Sequence, residues 1–176
     1  MKLPIMTFEC VEVGKDDAQL MADLIAEVWR QMDHKEWFAV EDLDYISGLM
    51  EAGKALAWKM VETESGEVAG VYFAVVPGID ADNLGYDIGL TGEELLKVAH
   101  MDIAAVLSRY RGNRLQQRMT DEAEERLVEK GYTYLMCTIH PENSFSYQTM
   151  ERRGYKLVKQ AYKYGGLLRN IYLKRF

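Results

Sequence analysis

The sequence predicts a single α/β domain of the α+β type, spanning residues 1–176, with about seven strands and four helices. Hydrophobic residues make up 48% of the 176 residues, which is enough for one well-formed core and short for two. Segments with strand-type alternation are interleaved with segments whose apolar residues recur at helical spacing. No repeat, low-complexity tract or linker interrupts them. One domain therefore accounts for the whole chain.

The N-terminal part is predicted as a strand, two helices and a hairpin. Asp16 or Asp17 can cap the first helix, and Gly53 can end the second. A tight turn at residues 63–66 joins two strands into the hairpin. The strands are expected at residues 6–13, 55–62 and 67–76. The apolar helix positions are Leu20, Met21, Leu24, Ile25 and Val28 in the first helix, and Leu43, Ile46, Leu49 and Met50 in the second.

The C-terminal part begins with a long connection, residues 77–96, whose glycines break any periodicity and which we expect to carry part of an active site. Apolar residues at helical spacing then predict a helix that starts near Leu115 and ends at Gly131. A shorter helix is expected at residues 143–153, and a turn at Gly165–Gly166 joins the last two strands. The strands are predicted at residues 98–107, 132–139, 155–163 and 167–174.

Four arginines lie within ten residues at the predicted strand-to-helix turn around Gly112, in a chain whose formal net charge is −7. A helix that begins there directs its free N–H groups and the positive end of its dipole toward the turn. Such a place favours an anion, and phosphate above all. The sequence therefore predicts a site for a ligand that carries a pyrophosphate.

Composition narrows the function classes. No apolar run is long enough for a membrane helix and the N-terminus lacks a signal-peptide pattern, so we expect a cytoplasmic protein. A sequence pI near 5.1 argues against broad nucleic-acid binding and favours a cationic substrate. Cys10 and Cys137 stand alone on predicted strands, which indicates free thiols and no metal site.

The order of elements resembles the GNAT superfamily of acyl-CoA-dependent N-acyltransferases, and two motifs carry the resemblance. The family's strand-to-helix turn, Arg/Gln-x-x-Gly-x-Gly/Ala, is similar to Arg111, Gly112, Asn113, Arg114, Leu115 and Gln116, with Arg114 and Gln116 at the two small-residue positions. The family's Asn-x-x-Ser helix, which ends in Gly-Phe/Tyr, is similar to Asn143, Ser146 and Gly154–Tyr155. The resemblance implies a GNAT-like, mixed, mostly antiparallel central sheet with four flanking helices. It also implies acetyl-CoA (coenzyme A) as cosubstrate.

The resemblance also implies roles for the residues that bind this cosubstrate. The motif of residues 111–116 would hold the pyrophosphate, Asn143 the pantetheine arm, and Ser146 would lie near the phosphates. Asn143 is equally suited to cap its helix, with Ser146 serving the same cap. Backbone N–H groups near Ala105 and Val106 would bind pantetheine and stabilise an oxyanion, with Ala104 in the same stretch.

The catalytic candidates come from the strand at residues 98–107. Alternation places His100, Asp102 and Ala104 on one face, where by analogy with the family a carboxylate faces the acceptor amine. Asp102 is the expected base and His100 the reserve. Many family members carry a tyrosine as acid where this chain has Met150, so Tyr155, Tyr147 or water would take that role. Tyr155 also fits a purely structural position.

The leading hypothesis is an acetyl-CoA-dependent N-acetyltransferase that transfers the acetyl group directly to a primary amine of a small molecule or a peptide. The alternatives are a non-catalytic acyl-CoA-binding GNAT-like module and, disfavoured by the acidic charge, a nucleic-acid or phosphoprotein interaction domain. A homodimer is possible. Acidic residues that could surround a cationic acceptor are Asp33, Glu36, Glu41, Asp42, Asp44, Asp80, Asp82 and Asp87.

Overall fold

The fold was analysed in a computed structural model that describes residues 5–39 and 41–176. Seven strands form one sheet in the order β1-β2-β3-β4-β5-β7-β6, and every neighbouring pair is antiparallel except β4 and β5. The mostly antiparallel seven-stranded sheet with four helices was predicted and is confirmed. The strands are β1 Phe8–Val13, β2 Ala55–Glu62, β3 Val68–Val75, β4 Val98–Val106, β5 Tyr134–Ile139, β6 Lys156–Lys163 and β7 Leu167–Arg175.

The helices are α1 Ala18–Arg30, α2 Leu43–Glu51, α3 Leu115–Glu129 and α4 Ser144–Arg152. Helices α1 and α2 pack together on one face of the sheet, and α3 covers the other. The two faces can be told apart on β3, because Phe73 contacts Tyr45 of α2 whereas a Cβ at Gly70 would meet Met119 of α3. We call these faces the α2 face and the α3 face.

The predicted boundaries of the helices and strands agree with the structure to within one or two residues. The start of α1 differs from the prediction only in how it is capped. Asp17 occupies the position before α1, but its side chain makes no capping hydrogen bond. Its carboxylate accepts instead from the Lys59 ammonium at 3.0 Å. Residues 15–17 form a 3₁₀ turn, so the chain enters α1 already wound and the side-chain cap is not needed.

The long connection before β4 is more ordered than its glycines suggested. It contains two 3₁₀ turns, Leu84–Ile88 and Gly92–Lys97. Asn83, which is 1% exposed, binds them together: its amide donates to the carbonyls of Gly78 and Leu95, and its oxygen accepts from the Gly85 N–H. One buried amide thus satisfies three backbone groups that would otherwise be unpaired.

Candidate active site

The parallel pairing of β4 with β5 is short. It joins Val98–His100 to Tyr134–Met136, whereas β4 runs on to Val106 and β5 to Ile139. We call the place where this pairing stops, after His100 and Met136, the fork. Among the residues that the structure describes, no other strand lies between β4 and β5, so their backbone groups beyond the fork have no strand partner there on that side.

The direction of the β4 backbone groups follows from its pairing with β3. The Leu107 N–H donates to the Ala69 carbonyl at 2.9 Å. Because the direction alternates along an antiparallel strand, the Ala105 N–H also faces β3, and the Ala104 and Val106 N–H groups face the fork. The free donors at the fork are therefore Ala104 and Val106, and Ala105, the other predicted donor, is committed to the sheet.

A β-bulge places Asp102. The register passes from Phe73 opposite Ile103 to Ala74 opposite Met101, which leaves Asp102 as the extra residue. Its carboxylate contacts Tyr45 and so lies on the α2 face. The predicted alternation of His100, Asp102 and Ala104 on one face was wrong for Ala104, because the bulge shifts every later residue by one.

The carboxylate of Asp102 is half-buried, and the Tyr45 hydroxyl donates to its Oδ2 at 3.3 Å. Burial, together with the nearby Glu41 and Asp82 carboxylates, raises the pKa of Asp102 to about 7, against the lowering effect of the Tyr45 hydrogen bond. A carboxyl group with such a pKa exchanges a proton near neutral pH, as a general base must.

One ring nitrogen of His100, the reserve base, already has a hydrogen-bond partner. Nε2 accepts from the Leu84 N–H at 3.0 Å, which assigns the ring proton to Nδ1. Burial, with the Lys163 charge nearby, lowers the pKa of His100 to about 4. These contacts favour a structural role, in which a neutral His100 holds the long connection against β4.

Tyr155, the candidate acid, is 1% exposed and donates to Glu124 Oε1 at 3.0 Å. Glu124 of α3 also accepts from Lys174 at 2.9 Å and from Arg153 at 3.4 Å. Burial raises the pKa of Tyr155 above its usual range, with Tyr72 and Glu124 adding to the effect. The Tyr155 phenol therefore holds α3 to the connection between α4 and β6, so we do not assign it a proton transfer.

Two groups at the fork were not found from the sequence. The Thr138 hydroxyl of β5 and the Tyr164 hydroxyl lie 2.8 Å apart. Tyr164 stands in the β6–β7 turn with φ of 51°, a conformation that is rare for a bulky residue. The double glycine after Tyr164 marks a turn, but no local pattern reveals that this side chain reaches β5.

The β4–α3 turn keeps the backbone path of a glycine-rich loop. Gly112 has φ of 87°, and Arg114, the residue before α3, has φ of 57°. An arginine in the left-handed region costs about 1–2 kcal/mol relative to a right-handed conformation. Arg114 therefore adopts the conformation for which glycine is suited, and the turn retains its shape at the expense of strain.

The four arginines of this turn are not equivalent. Arg109 pairs with Glu67 and, at 3.8 Å, with Glu27. Arg118 donates to the Phe8 carbonyl at 2.9 Å. Arg111 and Arg114 are exposed, and neither pairs with a carboxylate of residues 5–39 or 41–176. Two cations, and not four, remain available for an anion.

The remaining predicted residues flank this turn or begin α4. Leu115 is buried at 2% exposure, so only its backbone can face a ligand. The Asn113 amide donates to the Tyr110 carbonyl, and Gln116 is half-buried. Asn143 does cap α4, because its Oδ1 accepts from the Ser146 N–H at 3.2 Å. The cap leaves the Asn143 NH₂ group and the Ser146 hydroxyl for other partners.

Comparison with solved structures identifies this architecture. A candidate acetyltransferase from Acinetobacter baylyi superposes with a TM-score of 0.73 at 16% identity, over 99% of this chain and 95% of that one. The fold is that of the GNAT superfamily. A GNAT-family acetyltransferase from Streptococcus pneumoniae gives a TM-score of 0.69 at 14% identity, over 97% and 100% of the two chains. An aminoglycoside acetyltransferase, AAC(6')-Ib, in complex with coenzyme A and kanamycin gives 0.67 at 15% identity, over 96% and 95%.

The GNAT fold is thus shared at low sequence identity, and no family model or curated protein matches the chain in sequence. Within the part of the chain that the structure describes, no helix is long and apolar enough to cross a membrane. The same residues contain no group of three or more His, Cys, Asp or Glu side chains arranged to hold a metal ion.

Proposed function

We propose that the protein transfers an acetyl group from acetyl-CoA directly to a primary amine of a small molecule or a peptide. The observation that carries the proposal is the fork, where free backbone donors and a carboxyl group with a near-neutral pKa meet at one place in the sheet. The GNAT fold agrees with this chemistry.

The residues present fit acetyl-CoA. An amide-rich arm can add to the free backbone groups of β4 as a further strand would. The turn at Gly112 and Arg114, followed by the start of α3, suits a pyrophosphate, with Arg111 and Arg114 as the available cations. The Asn143 NH₂ group is a further donor. When bound, acetyl-CoA would supply an activated acyl carbon and a thiolate leaving group.

The chain's own groups would handle the proton and the developing charge. Asp102 accepts the proton that the amine loses, because its pKa of about 7 keeps a large fraction ionised near neutral pH. The Ala104 and Val106 N–H groups are free to donate to an oxygen that gains negative charge. Tyr45 is a positioning residue, since its hydroxyl holds the Asp102 carboxylate.

The surroundings of Asp102, where the acceptor amine would bind, are acidic. Fewer carboxylates contribute to this negative charge than the sequence suggested. Asp42 caps α2, Asp80 pairs with Lys54, and Asp87 pairs with Lys159 and Lys163. Glu41 and Asp82 are the members of the set whose charges act on Asp102. A protonated amine is therefore the expected acceptor.

Calorimetric titration with acetyl-CoA, and in parallel with ATP, tests the binding step. Micromolar binding of acetyl-CoA without matching ATP binding supports the proposal, and screening amines for thiol release then tests turnover. Equal binding of both ligands would mean that the β4–α3 turn is a general anion site, and would contradict the proposal.

A non-catalytic acyl-CoA-binding module is the second candidate. It is favoured by Met150, which stands at the family's tyrosine position, is 7% exposed within the core and carries no proton to donate. Tight acetyl-CoA binding without thiol release for any amine would select this candidate.

A further inference from the structure

We infer that the Tyr164 hydroxyl, held by Thr138 at the fork, is a catalytic group that donates a hydrogen bond to the thiolate of coenzyme A as it leaves. This inference rests on the proposed function. A residue of the β6–β7 turn would then stabilise the leaving thiolate, because Met150 on α4 has no group that can donate a hydrogen bond.

The position of the pair follows from the strand register. Val98 opposes Tyr134 and His100 opposes Met136, so Asp102 and Thr138 stand at the next corresponding positions, where pairing has stopped. Tyr45 of α2 donates to Asp102, and Tyr164 of the β6–β7 turn lies within hydrogen-bond distance of Thr138. At the fork, β4 and β5 thus each present one side chain that is hydrogen-bonded to a tyrosine.

Hydrogen-bond counting leaves one proton free. Thr138 Oγ1 and the Tyr164 hydroxyl are each other's only side-chain hydrogen-bond partner among the described residues. Two hydroxyl groups that share one hydrogen bond use one of their two protons. With Thr138 donating to Tyr164, the phenol keeps its own proton for a ligand. Half of the Tyr164 surface is exposed, at 52%, and its hydroxyl lies against Thr138 of β5.

The charges around Tyr164 keep the phenol protonated. Burial, together with the nearby Asp102 and Glu41 carboxylates, raises the pKa of Tyr164 to about 12, against the lowering effects of the Thr138 hydrogen bond and the Arg169 cation. Tyr45 is the other titratable group near it. A coenzyme A thiol, with a pKa of about 8.5, is a stronger acid than this phenol. The proton therefore stays on Tyr164, which acts as a hydrogen-bond donor and not as an acid.

The group transfer balances with this arrangement. The acceptor amine first releases one proton to solvent and attacks in its neutral form. Its nitrogen forms a bond to the acyl carbon and gives a second proton to Asp102. The C–S bond breaks, and its electron pair leaves on the sulfur. The Tyr164 O–H stabilises that negative charge by a charge-assisted hydrogen bond, and water later protonates the thiolate.

The pKa of the thiol of bound coenzyme A tests the inference without an acceptor amine. Coenzyme A would be titrated on the protein by the ultraviolet absorbance of the thiolate, for wild type, Tyr164→Phe and the double variant Thr138→Val/Tyr164→Phe. The double variant is included because a lone Thr138 hydroxyl can donate in place of the phenol. The loss of one charge-assisted hydrogen bond should raise the bound thiol pKa by about 1–2 units in the double variant. Tyr162→Phe, an exposed tyrosine on β6, is the matched control and should leave the thiol pKa unchanged.

The binding of coenzyme A distinguishes a failure of the role of Tyr164 from a failure of the proposed function. Well below the bound thiol pKa, where coenzyme A carries a neutral thiol in every variant, all variants should bind coenzyme A with the same dissociation constant, which would show that the site is intact. Equal binding with no shift in the thiol pKa of the double variant would overturn the role of Tyr164 and leave the proposed function standing. No binding of coenzyme A to the wild-type protein would overturn both.

Discussion

Replacing Asp102 by Asn should stabilise the protein, and the gain should grow with pH. The carboxyl pKa is about 7 in the folded chain, against the ordinary aspartate value of 3.8. A shift of about three units corresponds to about 4 kcal/mol at 1.36 kcal/mol per unit. Because the side chain is only half-buried, solvent screening reduces the expected figure to about 2–4 kcal/mol.

The pH window follows from the sign of the shift. A raised folded-state pKa means that ionisation is harder in the folded chain than in the unfolded one. The wild-type protein is therefore unpenalised below about pH 4, and loses stability as pH rises from about 4 through about 7. Asn is neutral throughout and can still accept from Tyr45, so the variant escapes this loss.

Urea unfolding of both proteins at about pH 4 and about pH 8 measures the effect. The two free energies of unfolding should nearly coincide at the lower pH and differ by about 2–4 kcal/mol at the higher one. Asp33→Asn, at an exposed position, is the control and should show no such trend. A pH-independent difference for Asp102→Asn would refute the raised pKa and, with it, the reason for choosing this residue as base.

Three further outcomes are expected. Asp102→Asn should leave the acetyl-CoA dissociation constant unchanged in calorimetry and lower kcat for thiol release by about 10²–10⁴-fold, whereas an enzyme at full rate would exclude it as base. Arg114→Gly should relieve about 1–2 kcal/mol of backbone strain and lose about 0.5–1 kcal/mol to chain entropy, a net gain of up to about 1.5 kcal/mol in urea unfolding, while acetyl-CoA binding weakens through loss of the cation. Asn143→Ala should cost about 1 kcal/mol of stability as the α4 cap is lost, and also weaken acetyl-CoA binding. Asn143→Asp keeps the capping oxygen but not the NH₂ group, so it should restore stability and not affinity; if it restores both, the amide does not contact acetyl-CoA.

Local patterns in the sequence predicted most of the fold. Apolar periodicity located seven strands and four helices, because one side of each must face the core. Glycines placed the turns: Gly53, Gly66 and Gly131 all have positive φ where a helix or strand was expected to end. Asn143 was correctly identified as a helix cap, since its side chain needs only neighbours three residues away.

Less of the candidate site could be predicted from the sequence. Asp102 was chosen as base by its place on the strand, but its raised pKa depends on burial and on the Glu41 and Asp82 carboxylates, which come from distant segments. The cluster of arginines at the turn was visible in the sequence, but its pairing was not, because Arg109 pairs with Glu67, some forty residues earlier. Tyr155 was ambiguous until its contact with Glu124 was known.

The sequence by itself determined the order of elements and the strand-to-helix turn at Gly112, because periodicity and turn chemistry are properties of short segments. The tertiary structure alone decided where β4 and β5 stop pairing, where the bulge lies, and which hydroxyl and carboxyl groups meet at the fork. The physical reason is that pairing register and long-range side-chain contacts depend on how complete strands pack against one another. A bulge of one residue at Asp102 was enough to move Ala104 from the predicted face to the other one.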